Sequence, residues 1–309
     1  KFDIREFPLP PVEPGGILIK VSAAGICGSD LHIWRGDNPL SPPGGKGDGY
    51  ITGHELTGRV HSLGAGISTD HLGKPLKEGD RVLFSYFTPC HRCYHCIRGE
   101  YTDCPSNFGG NKSVSEFPYC DGGFADYVLV PNSKYILSLN GLPDGMAGTY
   151  MCSGLTAYSA LKKVGTLAGK NQILILGLGG VGFMGLNIAR ALFGDKVFCA
   201  DIDKTKRDAA LKFGAKEVYD PALGTSFKSL VKKTGGGVYA VLDFVGSEAS
   251  VSFGRKCLRR GGRFILVGLF GGGVQIDLPL LALQGHSIIG SITGSLSEAN
   301  ELLDLVKEG

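Results

Sequence analysis

Four cysteines fall in one short stretch, Cys90-x2-Cys93-x2-Cys96-x7-Cys104. Thiolates at such spacings let one loop wrap a tetrahedral zinc ion and leave no coordination position open, which is the structural kind of site. Disulfides are the poorer reading: adjacent x2 spacings strain the bridge, and a chain of 309 residues needs no staples. A nucleic-acid-binding zinc knuckle is a rival, with His91, Arg92, Tyr94 and His95 as its basic and aromatic residues. A formal net charge of +3 argues against it.

A second chemical signature is Gly177-Leu-Gly179-Gly180-Val181-Gly182. An apolar, strand-like run leads into it and a helical pattern follows, the context in which G-x-G-x-x-G binds a dinucleotide. Gly177 permits the tight turn, Gly179 lets the backbone approach a pyrophosphate, and Gly182 lets helix and strand pack closely. The helix N-terminus then offers unpaired N–H groups and a positive dipole end. Asp201 stands nineteen residues after Gly182. A carboxylate there accepts hydrogen bonds from the adenosine ribose and repels a 2′-phosphate, so NAD is expected rather than NADP. Lys206 is within reach of the same ribose. A Gly-rich turn that binds no cofactor is the alternative.

Three further stretches could build an open zinc site: GICGSDLH with Cys27, GHE with His54, and MCSGLTAY with Cys152. Taken singly, each has an ordinary reading, because a free cysteine is simply a well-buried residue.

These residues need two different supports. From Ile17 to about Leu139 the apolar runs are short and bounded by Gly, Pro and Asp: ILIKVSAAGI, TGRVHSLG, DRVLFSYF, FADYVLV and YILSL. They read as strands of an irregular, mainly antiparallel β domain. A Pro/Gly-rich loop at Asn38–Gly49 and a long aperiodic excursion at Pro89–Cys120 interrupt it. From Ser153 strands alternate with helices: strands at 172–176, 196–201, 217–219, 238–245, 263–267 and 287–293, and helices at 181–193, 204–213, 226–233 and 248–259. Such alternation implies βαβ units and a doubly wound parallel sheet. A last helix is expected at Ser297–Lys307, with a Ser-x-x-Asn start that lacks the Glu of a capping box. The domains read as 1–152 with the metal loop at 89–105, then 153–291, then 292–309 returning toward the first.

Composition narrows the class. Glycine is abundant at 49 residues, against roughly 22 at average usage. The charge is too small to favour nucleic acid or an anionic membrane. Lys1–Pro14 has no apolar core of a signal peptide, and no run of about 18 apolar residues exists to span a bilayer. The nine cysteines read as thiols in a reducing, cytoplasmic compartment.

With the motifs GICGSDLH, GHE, the four-cysteine loop, MCSGLTAY and ILGLGGVG in this order, and Asp201 after them, the chain resembles the zinc-dependent medium-chain dehydrogenase/reductase family, alcohol dehydrogenase branch. The resemblance implies a GroES-like catalytic domain beside a Rossmann-type domain. It implies that Cys27, His54 and Cys152 hold a catalytic zinc, in addition to the structural zinc of Cys90, Cys93, Cys96 and Cys104, making two zinc ions per chain. Asp30 and Glu55 would stand behind the ligands. Ser29 would take the alcohol proton and pass it through the nicotinamide ribose to His32. Thr156 would lie near the nicotinamide, and Val245, Gly246, Val267 and Gly268 would line the cofactor groove. The activity implied is reversible hydride transfer from a zinc-bound alkoxide to NAD, giving an aldehyde or ketone. Cys152 at the third ligand position leans toward simple alcohols over polyols. Two other readings are a zinc-free quinone or enoyl reductase of the same superfamily and a polyol- or threonine-type dehydrogenase; a non-enzymatic NAD sensor is the third. The resemblance also implies a homodimer or homotetramer, and a further segment beyond Gly309 carrying a basic residue for the cofactor phosphate, so trimmed termini are expected. Trp34, Phe87 and the 38–49 loop are candidates for shaping the substrate pocket, with ordinary packing the equal alternative for the two aromatics.

Overall fold

The computed structural model describes residues 3–36, 49–106, 122–139, 141–142, 144–165 and 171–309. The chain forms two compact units, Lys1–Cys152 with Ser295–Gly309, and Ser153–Gly294.

The first unit is built on five antiparallel strands: β1 (Ile17–Gly25), β2 (Glu55–Leu63), β3 (Arg81–Phe84), β4 (Tyr127–Val130) and β5 (Ile136–Ser138), in the order β4-β1-β2-β3-β5. These are the five runs that the alternation of apolar and polar residues marks out. Ile17, Ile19, Leu56, Val82, Leu83 and Val128 from these strands are fully buried, each worth roughly 1.5–3 kcal/mol over an exposed position. The strand register places two of the candidate ligands. Gly25 at the end of β1 pairs with Glu55 at the start of β2, so Cys27 and His54 leave the sheet at the same end. Of the Pro89–Cys120 stretch, the residues to Ser106 are described; they form a short helix α2 (Tyr94–Ile97) and a 3₁₀ turn at Tyr101–Asp103. The 38–49 loop lies outside the described residues except for Gly49.

Two short helices of this unit carry site residues and were not anticipated. α1 (Gly28–Arg35) begins at Cys27 and ends at Gly36 in the left-handed region, φ 77°. α3 (Asp144–Thr149) runs into a π-helical turn, Tyr150–Gly154. Single π turns cluster at functional positions because they displace one residue from the helical register.

The second unit holds six parallel strands. β6 (Ile173–Leu176), β7 (Val197–Ala200), β8 (Val218–Tyr219), β9 (Val238–Asp243), β10 (Leu258–Leu266) and β11 (Ser287–Gly290) lie in the order β11-β10-β9-β6-β7-β8. That is the doubly wound order, with its reversal between β6 and β9. The helices are α4 (Leu155–Lys162), α5 (Gly180–Phe193), α6 (Lys204–Lys212), α7 (Ser226–Lys233), α8 (Glu248–Cys257) and α9 (Leu278–Gln284). Leu174, Leu176, Phe198, Val241 and Phe264 are buried together in one core.

Two expectations need correction. The strand expected at 263–267 is longer, Leu258–Leu266, with an irregularity between Leu258 and Arg263. The last helix, α10 (Leu296–Glu308), does have a capping box. The Ser295 hydroxyl accepts from Glu298 N–H at 3.2 Å, and the Glu298 carboxylate accepts from Ser295 N–H at 2.8 Å. Reciprocal satisfaction of two orphan donors fixes the start at Ser295 rather than Ser297.

Candidate metal centre and dinucleotide cradle

In the first unit the hairpin register, α1 and α3 converge. Cys27 caps α1 and His54 precedes β2. The backbone of Gly148 in α3 packs so closely on Glu55 that a Cβ there would collide with the Glu55 carbonyl, which brings the following π turn and Cys152 to the same place. One ligand atom from each of Cys27, His54 and Cys152 lies within 4.8 Å of the others. Cys27 Sγ and Cys152 Sγ are 3.8 Å apart. Four ligands about 2.3 Å from a tetrahedral zinc have edges of about 3.8 Å, so the donors fit that ion in kind and in spacing.

Asp30 sits behind them, 3% exposed. Its Oδ2 accepts from the Cys27 N–H at 2.8 Å. Its Oδ1, buried and without a hydrogen-bond partner, faces His54 Nδ1 at 3.4 Å. Nε2 is then the nitrogen turned to the thiols, and Ser29 Oγ lies 3.4 Å from it. A carboxylate on the far imidazole nitrogen fixes tautomer and orientation for metal binding. Asp30→Asn keeps the shape and the bond from Cys27 but removes the charge. It is expected to weaken metal binding here by about 10–100-fold, read by competition with a chelator; unchanged affinity would rule out this role.

The electrostatics follow the geometry. The Cys152 thiol hydrogen-bonds to Cys27 and, with His54 and Ser29, holds Cys27 down at about 4 against the effect of burial. The same bond, then burial, raises Cys152 well above the ordinary thiol value. Burial disfavours the His54 imidazolium, but Asp30 and Cys27 outweigh it and the pKa rises to about 10. Burial first, then the Cys27 charge, raises Glu55, and the hydrogen bond its carboxylate accepts from the Cys152 thiol offsets part of this. Ser29 and His32 lie three residues apart on α1 and so share one face.

Sequence reasoning missed Tyr86. Its ring packs on His54 at 4.6 Å and on Phe87 at 4.2 Å, and its hydroxyl points to Cys152 Sγ at 3.9 Å. No spacing rule singles out a tyrosine after β3. Phe87 itself is buried, whereas Trp34 is 50% exposed.

Cys90, Cys93, Cys96 and Cys104 also bring ligand atoms within 4.8 Å of one another. Cys90 Sγ and Cys96 Sγ are 3.9 Å apart, and Cys104 Sγ accepts from the Cys90 N–H at 3.3 Å. The loop turns at His91, whose φ of 56° is in the left-handed region.

The second unit places the glycine run at the carboxyl end of β6. Gly177 has φ 89° and packs on Val245, and a Cβ on Gly182 would collide with the Gly177 carbonyl. Around Gly179 and Gly180 a Cβ would meet nothing within 4 Å. The two constrained glycines thus shape the turn, and the two open ones leave the α5 N-terminus accessible, as a pyrophosphate requires. Val181 follows in the first turn of α5. Asp201 directly follows β7; its Oδ2 accepts from Leu178 N–H at 2.6 Å and its Oδ1 from Asp203 N–H at 2.8 Å. Lys206 is exposed on α6. At the end of β9, buried Asp243 accepts from the Val245 and Gly246 N–H groups at 2.9 and 3.1 Å and from Ser250 Oγ at 2.7 Å. Asp243 was also missed. Its carbonyl accepts from the Val267 and Gly268 N–H groups at 2.9 and 3.0 Å, so it gathers Val245, Gly246, Val267 and Gly268 beside the switch point. Thr156 is half-buried in the first turn of α4.

A doubly wound sheet with an open glycine turn at its switch point defines a dinucleotide-binding protein, and the thiolate–imidazole pocket adds metal chemistry. Residues 13–141 match the family model described as alcohol dehydrogenase GroES-like domain, and residues 180–308 the one described as zinc-binding dehydrogenase. The chain is 31% identical over 317 residues to an NAD-dependent alcohol dehydrogenase of Sulfolobus acidocaldarius, covering 99% of this chain and 86% of that protein. It is also 31% identical to an L-threonine 3-dehydrogenase of Pyrococcus furiosus, covering 94% and 79%. A crystal structure of an alcohol dehydrogenase from Thermotoga maritima superposes with a TM-score of 0.88 at 26% identity, covering 98% of this chain and 85% of that one. The chain belongs to the zinc-dependent medium-chain dehydrogenase family. No helix among the described residues is long and apolar enough to cross a membrane.

Proposed function

We propose that this chain is an NAD-linked alcohol dehydrogenase with two zinc ions, one held by Cys27, His54 and Cys152 for catalysis and one by Cys90, Cys93, Cys96 and Cys104 for structure. The observation that carries the reading is the convergence of Cys27, His54 and Cys152 with Asp30 behind the imidazole. Three ligands leave a fourth position open, whereas four thiolates close their site. When bound, zinc supplies a Lewis acid that favours loss of the alcohol proton near neutral pH, and the nicotinamide supplies the hydride acceptor.

The chain's own groups do the rest. Asp30 holds His54 with Nε2 toward the pocket. Ser29, beside Nε2, accepts the substrate proton, and His32 on the same face of α1 passes it on. The Tyr86 ring covers one side of His54 and keeps water from it. Gly179 and Gly180 leave room for the pyrophosphate, and the Asp201 carboxylate takes the adenosine ribose and disfavours a 2′-phosphate. Thr156, Val245 and Val267 line the nicotinamide side. Glu55 keeps a carboxyl behind Cys152.

Substrates are primary or secondary alcohols and, in reverse, aldehydes or ketones. A threonine- or polyol-type activity is the second reading, favoured by the likeness to the L-threonine 3-dehydrogenase. A panel of simple alcohols, L-threonine and polyols, scored by NADH absorbance with metal counting, tests both. We expect turnover of simple alcohols and two zinc ions per chain. NADH from none of them, or a single metal confined to the four-cysteine loop, would overturn the assignment in favour of a zinc-free reductase. A reducing, cytoplasmic location accords with committing six cysteines to metal as thiolates.

We also propose a homo-oligomer formed through β11. This strand is the sheet edge, with Ile288 39% exposed. The preceding α9 exposes Leu278, Leu280 and Leu283. An apolar edge strand is a template for pairing with another chain. Ile288→Lys is expected to shift the protein to monomer in light scattering; an unchanged mass would exclude this edge as the interface.

A further inference from the structure

The carboxyl ends of the parallel strands carry the cofactor cradle. Their amino ends carry a second concave site. A cavity of about 360 Å³ opens there, lined by Gln172, Lys196, Lys216, Gly235, Tyr239 and Arg259 among others. These residues come from the starts of neighbouring strands. Gln172 precedes β6, Lys196 precedes β7, Lys216 precedes β8, and Gly235 lies in the glycine loop before β9. The whole site is therefore within the second unit, on the edge opposite Gly177–Gly182 and Asp201.

Its charge is one-sided. Among the described residues lining it, Lys196, Lys216 and Arg259 are cations and Asp195 is the single carboxylate. Asp195 is 81% exposed and reaches Lys216 at 3.7 Å, a distance and exposure at which an ion pair is weak and easily displaced. Arg259 is held on the Tyr239 ring at 4.9 Å. Stacking fixes the plane of a guanidinium while leaving its edge available for a planar or tetrahedral oxyanion. Lys216 is anchored through its backbone, whose N–H donates to the Val197 carbonyl at 2.8 Å. Gly235, Gly236 and Gly237 all have positive φ, 70°, 125° and 109°, which brings the loop to the rim with no side chains to fill the cavity.

We propose that this cavity is a binding site for a phosphorylated small molecule, separate from the dinucleotide site, with Lys216 and Arg259 as its principal phosphate ligands. Three cations against one carboxylate select a dianion over a metal ion, and a volume in the ordinary range for small-molecule sites suits a phosphate monoester. The proposal goes beyond the dehydrogenase reading and does not rest on it.

Inorganic phosphate, titrated into the zinc-loaded protein at constant ionic strength, is the probe, with amide chemical shifts as the readout. The titration is run with and without saturating NADH. The expected result is a saturable shift at Lys216 and Gly235–Gly237 in both, with a Kd on the order of 1 mM. Lys216→Gln with Arg259→Gln should weaken it at least about 10-fold, as loss of charge-assisted bonds implies. NADH affinity and melting temperature should not change. Lys216→Gln alone, an exposed change that cannot unfold the protein, should still weaken binding several-fold. Shifts confined to Gly179–Gly182, no saturation by about 50 mM phosphate, or undiminished binding in Lys216→Gln would each overturn the proposal.

Discussion

Replacing Cys27 with alanine is expected to lower turnover by roughly 10³–10⁴-fold, the scale of several kcal/mol of Lewis-acid stabilisation. Removing the Cys27 thiol takes away one of three thiolate or imidazole donors and leaves Asp30 in place, because its Oδ2 accepts from the Cys27 backbone N–H, which alanine keeps. The cofactor cradle is formed by other residues in the other unit, so the affinity for NADH, followed by its fluorescence, should stay within about twofold. Metal counting should fall from two ions to one. The substitution itself is mild for the fold, since Cys27 lies at the start of α1 and is only half-buried. Retained turnover would mean that the three-residue pocket does not act on substrate. Lost NADH binding would mean that the variant is damaged generally and that another ligand, Cys152, must be tested.

Cys96→Ala is expected to act in the opposite sense, on stability first. Cys96 is 5% exposed, and burial, with the hydrogen bonds its thiol donates to Cys93 and Cys104, raises it to about 12. Gathering four thiols in one short loop has a cost unless a cation accepts them. Losing one ligand should release the ion and lower the melting temperature by about 10 °C, equivalent to a few kcal/mol for a unit of this size. Turnover per folded molecule at low temperature should survive, because Cys27, His54 and Cys152 are drawn from other segments. A variant with an unchanged melting temperature and two metals would show that this loop does not hold an ion.

What could be read from the sequence depended on how local each feature is. The four-cysteine loop and the glycine turn are defined by spacing within one segment, and the parallel sheet by the alternation of strand and helix. Cys27, His54 and Cys152 are far apart, and only the family pattern joined them; the pairing of Gly25 with Glu55 is the physical reason that two of them meet. The part Tyr86 plays was not legible, because its contacts with His54 and Cys152 are purely tertiary. α1 was overlooked because GSDLHIWR is short and begins with helix-poor residues. α9 was overlooked because LPLLALQ has no polar face to give a period. The start of α10 was misplaced by reading Ser297 as the cap when Ser295, three before Glu298, closes the reciprocal bonds.

The two metal pockets also differ in when they can exist. Cys90 and Cys104 are separated by 14 positions, whereas Cys27 and Cys152 are separated by 125. Closing a short loop needs little chain entropy, and it can be done while synthesis is still under way. The four-cysteine loop is complete as a ligand set once Cys104 has emerged. The other pocket has no third ligand until Cys152 is made, and no fixed geometry until β1 and β2 have paired. On the two-zinc proposal, one ion would be acquired early and locally, and would guide the first unit toward its fold. The other would be acquired later, so its presence would report that β1, β2 and the Cys152 turn of the first unit have come together.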